Sequence, residues 1–480
     1  MKKCIRYIFV LLFIFTGIAG IYLKDYNVFL VSAMSIWIAN VIFSFENLQR
    51  RIYFLMFEIT FFVFLLSRPF ISFCEGKVWW KLYETEHVKF SLVIILLSQI
   101  GLMIGTWFIE EKSKAKKVPS TLGYKKSNEK KELINNIQII SLLLFYVSGI
   151  FFFIQEGEKL LATWQKGYLA YYTSFEAQLP FWIYTLASFM KVSFCVYLAT
   201  WPKKKNAILP IGIFLCSALP SLIIGLRNPI MLNAVFVFLY FVVRHILDQE
   251  EKWIGKIEKY AFIVGIPCSL IFMTLYSYIR SGLQVGKQGI LRLLIGFFYG
   301  QGVTFDVLAI GHKCIPLLPE REIRNYTFGE ILDYFLHGSI AQKMFGAEVL
   351  DSGNTVKNAL ESNSLAHNMS YIDMGKEYLE GHGWGSSYLL EVFIDYGYIG
   401  VLLFNIILGI LLIYAIDFLK KNILCCTIVF MCLQSVFFIP RAEATGWLSF
   451  LFTIQFWLAI IAIYLAALLC VKRYSMRKEK

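Results

Sequence analysis

A chain of 480 residues with 58% hydrophobic side chains, 17% aromatics and only 16% charged residues exceeds the apolar share of soluble folds, about 45–50%. A soluble enzyme is thereby excluded, and the class expected is an all-α polytopic membrane protein. The net charge of +13 would suit a nucleic-acid partner only if it were gathered on one exposed face, and it is instead dispersed through alternate loops.

Twelve apolar runs of roughly 16 to 25 residues are each long enough to cross a ~30 Å hydrocarbon core as a helix. They begin near Tyr7, Val28, Ile52, Phe90, Leu133, Leu179, Ala207, Pro229, Tyr260, Tyr398, Ile423 and Trp447. The first has a basic start but no small-residue cleavage site, so it is expected to be a retained helix. With the N-terminus in the cytoplasm, alternation puts 27 Lys/Arg inside and 9 in the short outer loops. This positive-inside asymmetry sets both termini in the cytoplasm. The organisation expected is residues 1–279 as spans one to nine, 280–397 as one long extracytoplasmic loop with interfacial helices, and 398–480 as spans ten to twelve.

Within the first nine spans, Glu58 and Lys191 lie at similar depth in the third and sixth runs, where lone charges are costly, and an intramembrane ion pair is the natural expectation. The lysine-rich stretch from Glu110 to Glu132 reads as a solvated cytoplasmic linker. Gly225-Leu226-Arg227-Asn228-Pro229 reads as a tight outer turn, with Asn as N-cap and Pro at the first helical position. Backbone N–H groups and the positive end of the helix dipole beside Arg227 would make an anion site there, against the blander reading of an arginine snorkelling to the interface. Arg280 and Arg441 are expected at the same level, and three arginine forks would suit a pyrophosphate.

The long segment from Arg280 to Gly397 holds 9 Lys/Arg against 13 Asp/Glu, and so is mildly acidic. Its apolar stretch from Leu291 to Ile310 is expected to be interfacial or re-entrant, because a crossing would export Lys420, Lys421 and the basic C-terminal tail. Four of the six histidines fall in this segment. His367 and His382 are the candidate general bases, since neutral imidazole can take a proton near pH 7. Glu391 and Asp395, four apart, would share a helix face and are further candidates for base or sugar-hydroxyl partner, or else belong to an interfacial turn. Of the ten cysteines, which show no CxxC spacing, only Cys74 and Cys314 fall in outer loops, and free thiols are expected. No HExxH, EF-hand, P-loop or GxSxG pattern occurs, so no metal site or nucleotide cofactor is indicated.

The run Gly383-x-Gly385-Ser386-Ser387-x3-Glu391-x3-Asp395-Tyr396-Gly397-x2-Gly400, entering a span after a long outer loop, resembles the O-antigen and capsular polysaccharide polymerases called Wzy. The Gly225-x-Arg227 turn looks similar too. The related O-antigen ligases carry a comparable acidic ending preceded by His-Asn, but Ser386 stands where that histidine would be and His367-Asn368 lies too far upstream, which favours polymerase. The resemblance implies a GT-C-like fold in the bacterial cell membrane, and lipid-linked oligosaccharide on undecaprenyl pyrophosphate as substrate. It implies metal-independent inverting glycosyl transfer at the outer face, with a chain-length regulator and a flippase as candidate partners. Arg227, Arg280 and Arg441 would hold the pyrophosphate, and His367 or His382, or failing them Glu391 or Asp395, would take the proton. A polysaccharide flippase is the alternative from another class. It would show internal repeats and paired broken helices, and no repeat is visible.

Overall fold

Apolar runs without period-two alternation favour helices, and helices are what form. The protein is described by a computed structural model over residues 2–113, 128–164, 166–173, 175–248, 251–280 and 289–478, excepting side chains at 82, 110–113, 128–130, 277–280 and 472–478. No strand occurs among the described residues. Thirteen helices there are long and apolar enough to cross a membrane, against the twelve predicted, and the addition is Ile290–Leu317. That stretch is two helices, Ile290–Gln301 and Thr304–Cys314, broken at Gly302 and Val303. The tenth predicted run begins earlier than expected, because Tyr388–Leu419 is helical from Tyr388, with a kink at Gly397. The last begins later, at Ile454, since Gly446–Phe452 winds as a 3₁₀ helix. Most of the lysine-rich linker lies outside the described residues.

The chain divides into two compact units, described separately. The first comprises Met1–Val118, Tyr260–Ala415 and Val436–Gly446. Here Thr85–Ser113 and Tyr388–Leu419 approach closely along a face of small residues. A Cβ on Gly101 would stand 2.7 Å from Leu402 O and 2.8 Å from Asn405 Cβ. Such small-residue contacts let helix backbones pack where lipid supplies no hydrophobic drive between helices. Beside this seam Glu58 is fully buried, and its carboxylate accepts from Asn40 Nδ2 (3.2 Å) and Gln99 Nε2 (3.1 Å), while Asn40 Nδ2 also reaches Gln99 Oε1 (2.8 Å). The partners of Glu58 are therefore two amides rather than the expected lysine. Amides need no second buried charge, and sequence depth alone did not reveal them. Tyr388 Oη donates to Asn405 Oδ1 at 2.7 Å and completes the polar seam.

The second unit comprises Pro119–Lys259, Ile416–Ser435 and Trp447–Lys480. Asn128–Trp164 packs along Phe181–Ala199. Glu156 accepts from Lys159 Nζ (2.6 Å) and Ser221 Oγ (2.9 Å), and Lys191 lies within Coulombic reach of it. Arg244, 2% exposed, stacks over Trp253 at 4.2 Å, donates to Pro202 O at 2.9 Å and pairs with Asp248 at 2.6 Å. All ten cysteines are free thiols, as expected.

Candidate active site

The motif that closes the long segment is held by hydrogen bonds to two distant stretches of chain. Ser386 Oγ donates to Glu391 Oε1 at 2.6 Å, and the Ala444 amide donates to Glu391 Oε2 at 2.8 Å. Glu391 is 1% exposed. One helical turn on, Asp395 Oδ2 accepts from the Thr327 amide (2.6 Å) and the Thr327 hydroxyl (2.7 Å). Thr445 Oγ1 closes the circuit by donating to Thr327 O at 2.6 Å. Residues 325–327, 386–396 and 441–445 thus form one clasp within the first unit. The two acids do share a helix face, but each is aimed at a different backbone segment. Gly397 kinks the helix just beyond, at φ 65° and ψ −164°, a conformation essentially restricted to glycine.

The histidines differ sharply. His367, on the helix Leu365–Met374, is half-buried, with Nδ1 2.8 Å from Tyr378 Oη, which in turn reaches Thr355 O at 3.2 Å. With Nδ1 donating to the tyrosine and the tyrosine to the carbonyl, Nε2 is left as the acceptor. Burial lowers the His367 pKa below its ordinary value, so the ring is neutral at pH 7. Neighbouring Asn368 is buried and structural, because Arg321 Nη2 and Tyr326 Oη both donate to its Oδ1 and its amide donates to Ala359 O. His382 is exposed, and its backbone carbonyl accepts from Asn354 Nδ2. His87 and His312 meet Nδ1 to Nδ1 at 2.7 Å, a pairing that no spacing in the chain announces.

Of the three predicted arginines, Arg441 joins the clasp region, where it follows Pro440 and its Nη1 donates to Gln301 O at 3.3 Å. Arg227 belongs to the second unit, in the turn predicted for it. Gly225 caps the preceding helix at φ 116°, and the next helix starts at Asn228 with Arg227, not Asn228, as N-cap. The Arg280 side chain lies outside the described residues. Gly383 is exposed, and Gly385 takes a positive φ of 79° in the turn that delivers buried Ser386.

Comparison with known proteins resolves the family. The model described as O-antigen polysaccharide polymerase Wzy matches residues 5–474. The chain belongs to that family. No curated relative and no solved structure matches it. A Wzy-family chain is a multi-pass membrane protein that polymerises polysaccharide repeat units, and the clasp lies inside the matched region. Sequence reading missed Thr327, Tyr378 and Thr445. Each acts through one hydroxyl across a long loop, and no local spacing advertises such a contact.

Proposed function

We propose that this Wzy-family chain is a glycosyltransferase that joins undecaprenyl-pyrophosphate-linked repeat units at the outer face of the bacterial cell membrane, with both termini cytoplasmic. The observation that carries the reading is the family match across 5–474. It favours polymerase over both the flippase and the ligase alternatives. In this reading a terminal sugar hydroxyl of one lipid-linked unit attacks the anomeric carbon of the other, and the carbon–oxygen bond to pyrophosphate breaks with inversion.

His367 is the base best supported. Its ring is neutral, its Nδ1 is occupied by Tyr378 and its Nε2 is left to accept the hydroxyl proton. His382 is the weaker candidate, since it is exposed and no hydrogen bond holds its ring among the described residues. Both oxygens of Glu391 and one of Asp395 are already engaged, which favours a positioning role for the acids. Arg441 would stabilise the leaving pyrophosphate with Arg280 of the same unit, and Arg227 is a separate phosphate-binding candidate, each offering a fork matched to phosphate oxygens. A chain-length regulator and a flippase would be its partners.

The test is a gel profile of surface glycan from cells lacking the gene, complemented with the intact sequence, Arg441→Ala, Arg227→Ala or His367→Ala. Polymerase action requires a single repeat unit in the deletion strain and a restored ladder with the intact gene. The three variants should accumulate to normal levels yet leave single units. A deletion in which no repeat unit reaches the outer leaflet would instead mark a transporter.

A further inference from the structure

A cavity of about 210 Å³ opens in the first unit beside Arg68, walled by Arg68, Ser72, Lys77, Trp79, Tyr299 and Asp306 with apolar neighbours. The local chain path builds it. The helix Leu48–Phe61 passes through a π-helical turn, Phe62–Leu66, into Ser67–Cys74, and such turns are frequent at functional sites. Ser67 Oγ donates to Phe298 O at 2.8 Å. Against the same turn sits the break at Gly302, where a Cβ would stand 2.6 Å from Arg68 Cβ. Arg441, bound to Gln301 O, is anchored one residue from that contact.

The wall is chemically selective. Arg68 lies over the Tyr299 ring at 4.6 Å and pairs with Asp306, which is buried in the first turn of Thr304–Cys314. Lys77 pairs with Glu75. Both wall cations are thus neutralised, although Arg292 stands near Lys77 outside the wall. A pyrophosphate would have to break these pairs to bind. A polyol would not, because guanidinium and Ser72 hydroxyl offer donors, Asp306 offers an acceptor, and the rings offer apolar surface for the C–H face of a sugar. Arg68 Nε is buried without a hydrogen-bond partner among the described residues, a donor left for a ligand oxygen. Trp79 is fixed in advance, since its Nε1 donates to Asn27 Oδ1 at 3.2 Å and its ring meets Phe305 edge-on at 5.4 Å. The volume falls below the ~300–1,000 Å³ of pockets for drug-sized ligands, so one ring fits rather than an oligosaccharide.

We propose that this cavity is a monosaccharide subsite that holds one sugar ring of the glycan substrate through Arg68, Asp306 and Ser72. The proposal rests on the polymerase reading and adds the part of the substrate recognised here.

The test uses full-length protein in nanodiscs. The probe is the repeat-unit oligosaccharide freed by mild acid from the lipid carrier that accumulates in deletion cells, with inorganic pyrophosphate as competitor. The oligosaccharide should bind the intact protein and resist pyrophosphate. Asp306→Asn keeps the shape of the wall and removes the carboxylate, while Ser72→Leu fills the cavity without touching a charge. Each should weaken binding about tenfold or more, with Asp306→Asn also lowering thermal stability through its lost pair with Arg68 and Ser72→Leu melting near the intact protein. Unchanged affinity in both variants, or displacement of the oligosaccharide by pyrophosphate, overturns the subsite. Failure of the polymerase reading is separate, because it would appear as no ladder from the intact gene whatever the oligosaccharide binds.

Discussion

Replacing Glu391 separates an anchor from a base. Its carboxylate accepts from Ser386 Oγ and from the Ala444 amide, at 1% exposure. Glu391→Ala strands both donors, at about 1–3 kcal/mol each, so the clasp loses ~2–6 kcal/mol. Glu391→Gln is different. The new carbonyl can keep the Ala444 bond, and the new NH2 can donate to Ser386, whose hydroxyl turns round to accept. Both partners are thus kept, and the exchange costs about 1 kcal/mol or less. As an anchor, Glu391→Gln therefore keeps both apparent melting temperature and glycan ladder, whereas Glu391→Ala loses both. Ser386→Ala in the Gln background leaves the NH2 unpaired and should lower stability again by about 1–3 kcal/mol. Detergent-solubilised protein followed by tryptophan fluorescence, beside ladders from the same cells, gives both readouts. A stable Glu391→Gln that makes no ladder would falsify the anchor and return Glu391 to the chemistry.

Other expectations follow from the same geometry. Burial depresses the His367 pKa, so the imidazole stays neutral below its ordinary value and the acid limb of the rate profile should fall below about pH 6.5. The same depression means that stability is fully present above the unfolded pKa and is lost as pH falls through the folded one. His367→Gln should remove that acid-side loss in melting scans taken from pH 7 to 5. Gly397→Ala forces a Cβ into φ 65°, ψ −164°, and should cost about 1–3 kcal/mol and shorten the ladder. Glu58→Gln keeps an acceptor for only one of the Asn40 and Gln99 amides, and should lower stability yet retain polymerisation, whereas a role for Glu58 in carrying a proton would stop it.

The helical class and nearly every span were legible, because crossing a hydrocarbon core demands long apolar runs and leaves a composition no soluble fold shares. Boundaries were legible only where a local signal ends a helix. The span within Tyr388–Leu419 was expected to begin at Tyr398, with Glu391 and Asp395 on a helix face just before it, and only contacts with residues 327 and 444 reveal why one continuous helix can carry both acids. Glu58 was misassigned for the same reason. Burial and cost could be inferred from depth, but a partner contributed by another helix could not. The closing motif was visible as a spacing, and its spacing was taken to mean chemistry. In the folded chain its two acids bind backbone and hydroxyl groups more than fifty residues away in sequence, and Ser386 holds Glu391 from five residues back, a task that also needs fixed residue types at fixed intervals. A Gly-Ser-x4-Glu-x3-Asp pattern entering a membrane helix is therefore as well explained by the need to tie a long segment to its neighbouring loop as by catalysis. His367 Nε2 and the Arg68 fork, the groups proposed for proton transfer and sugar binding, stand outside it.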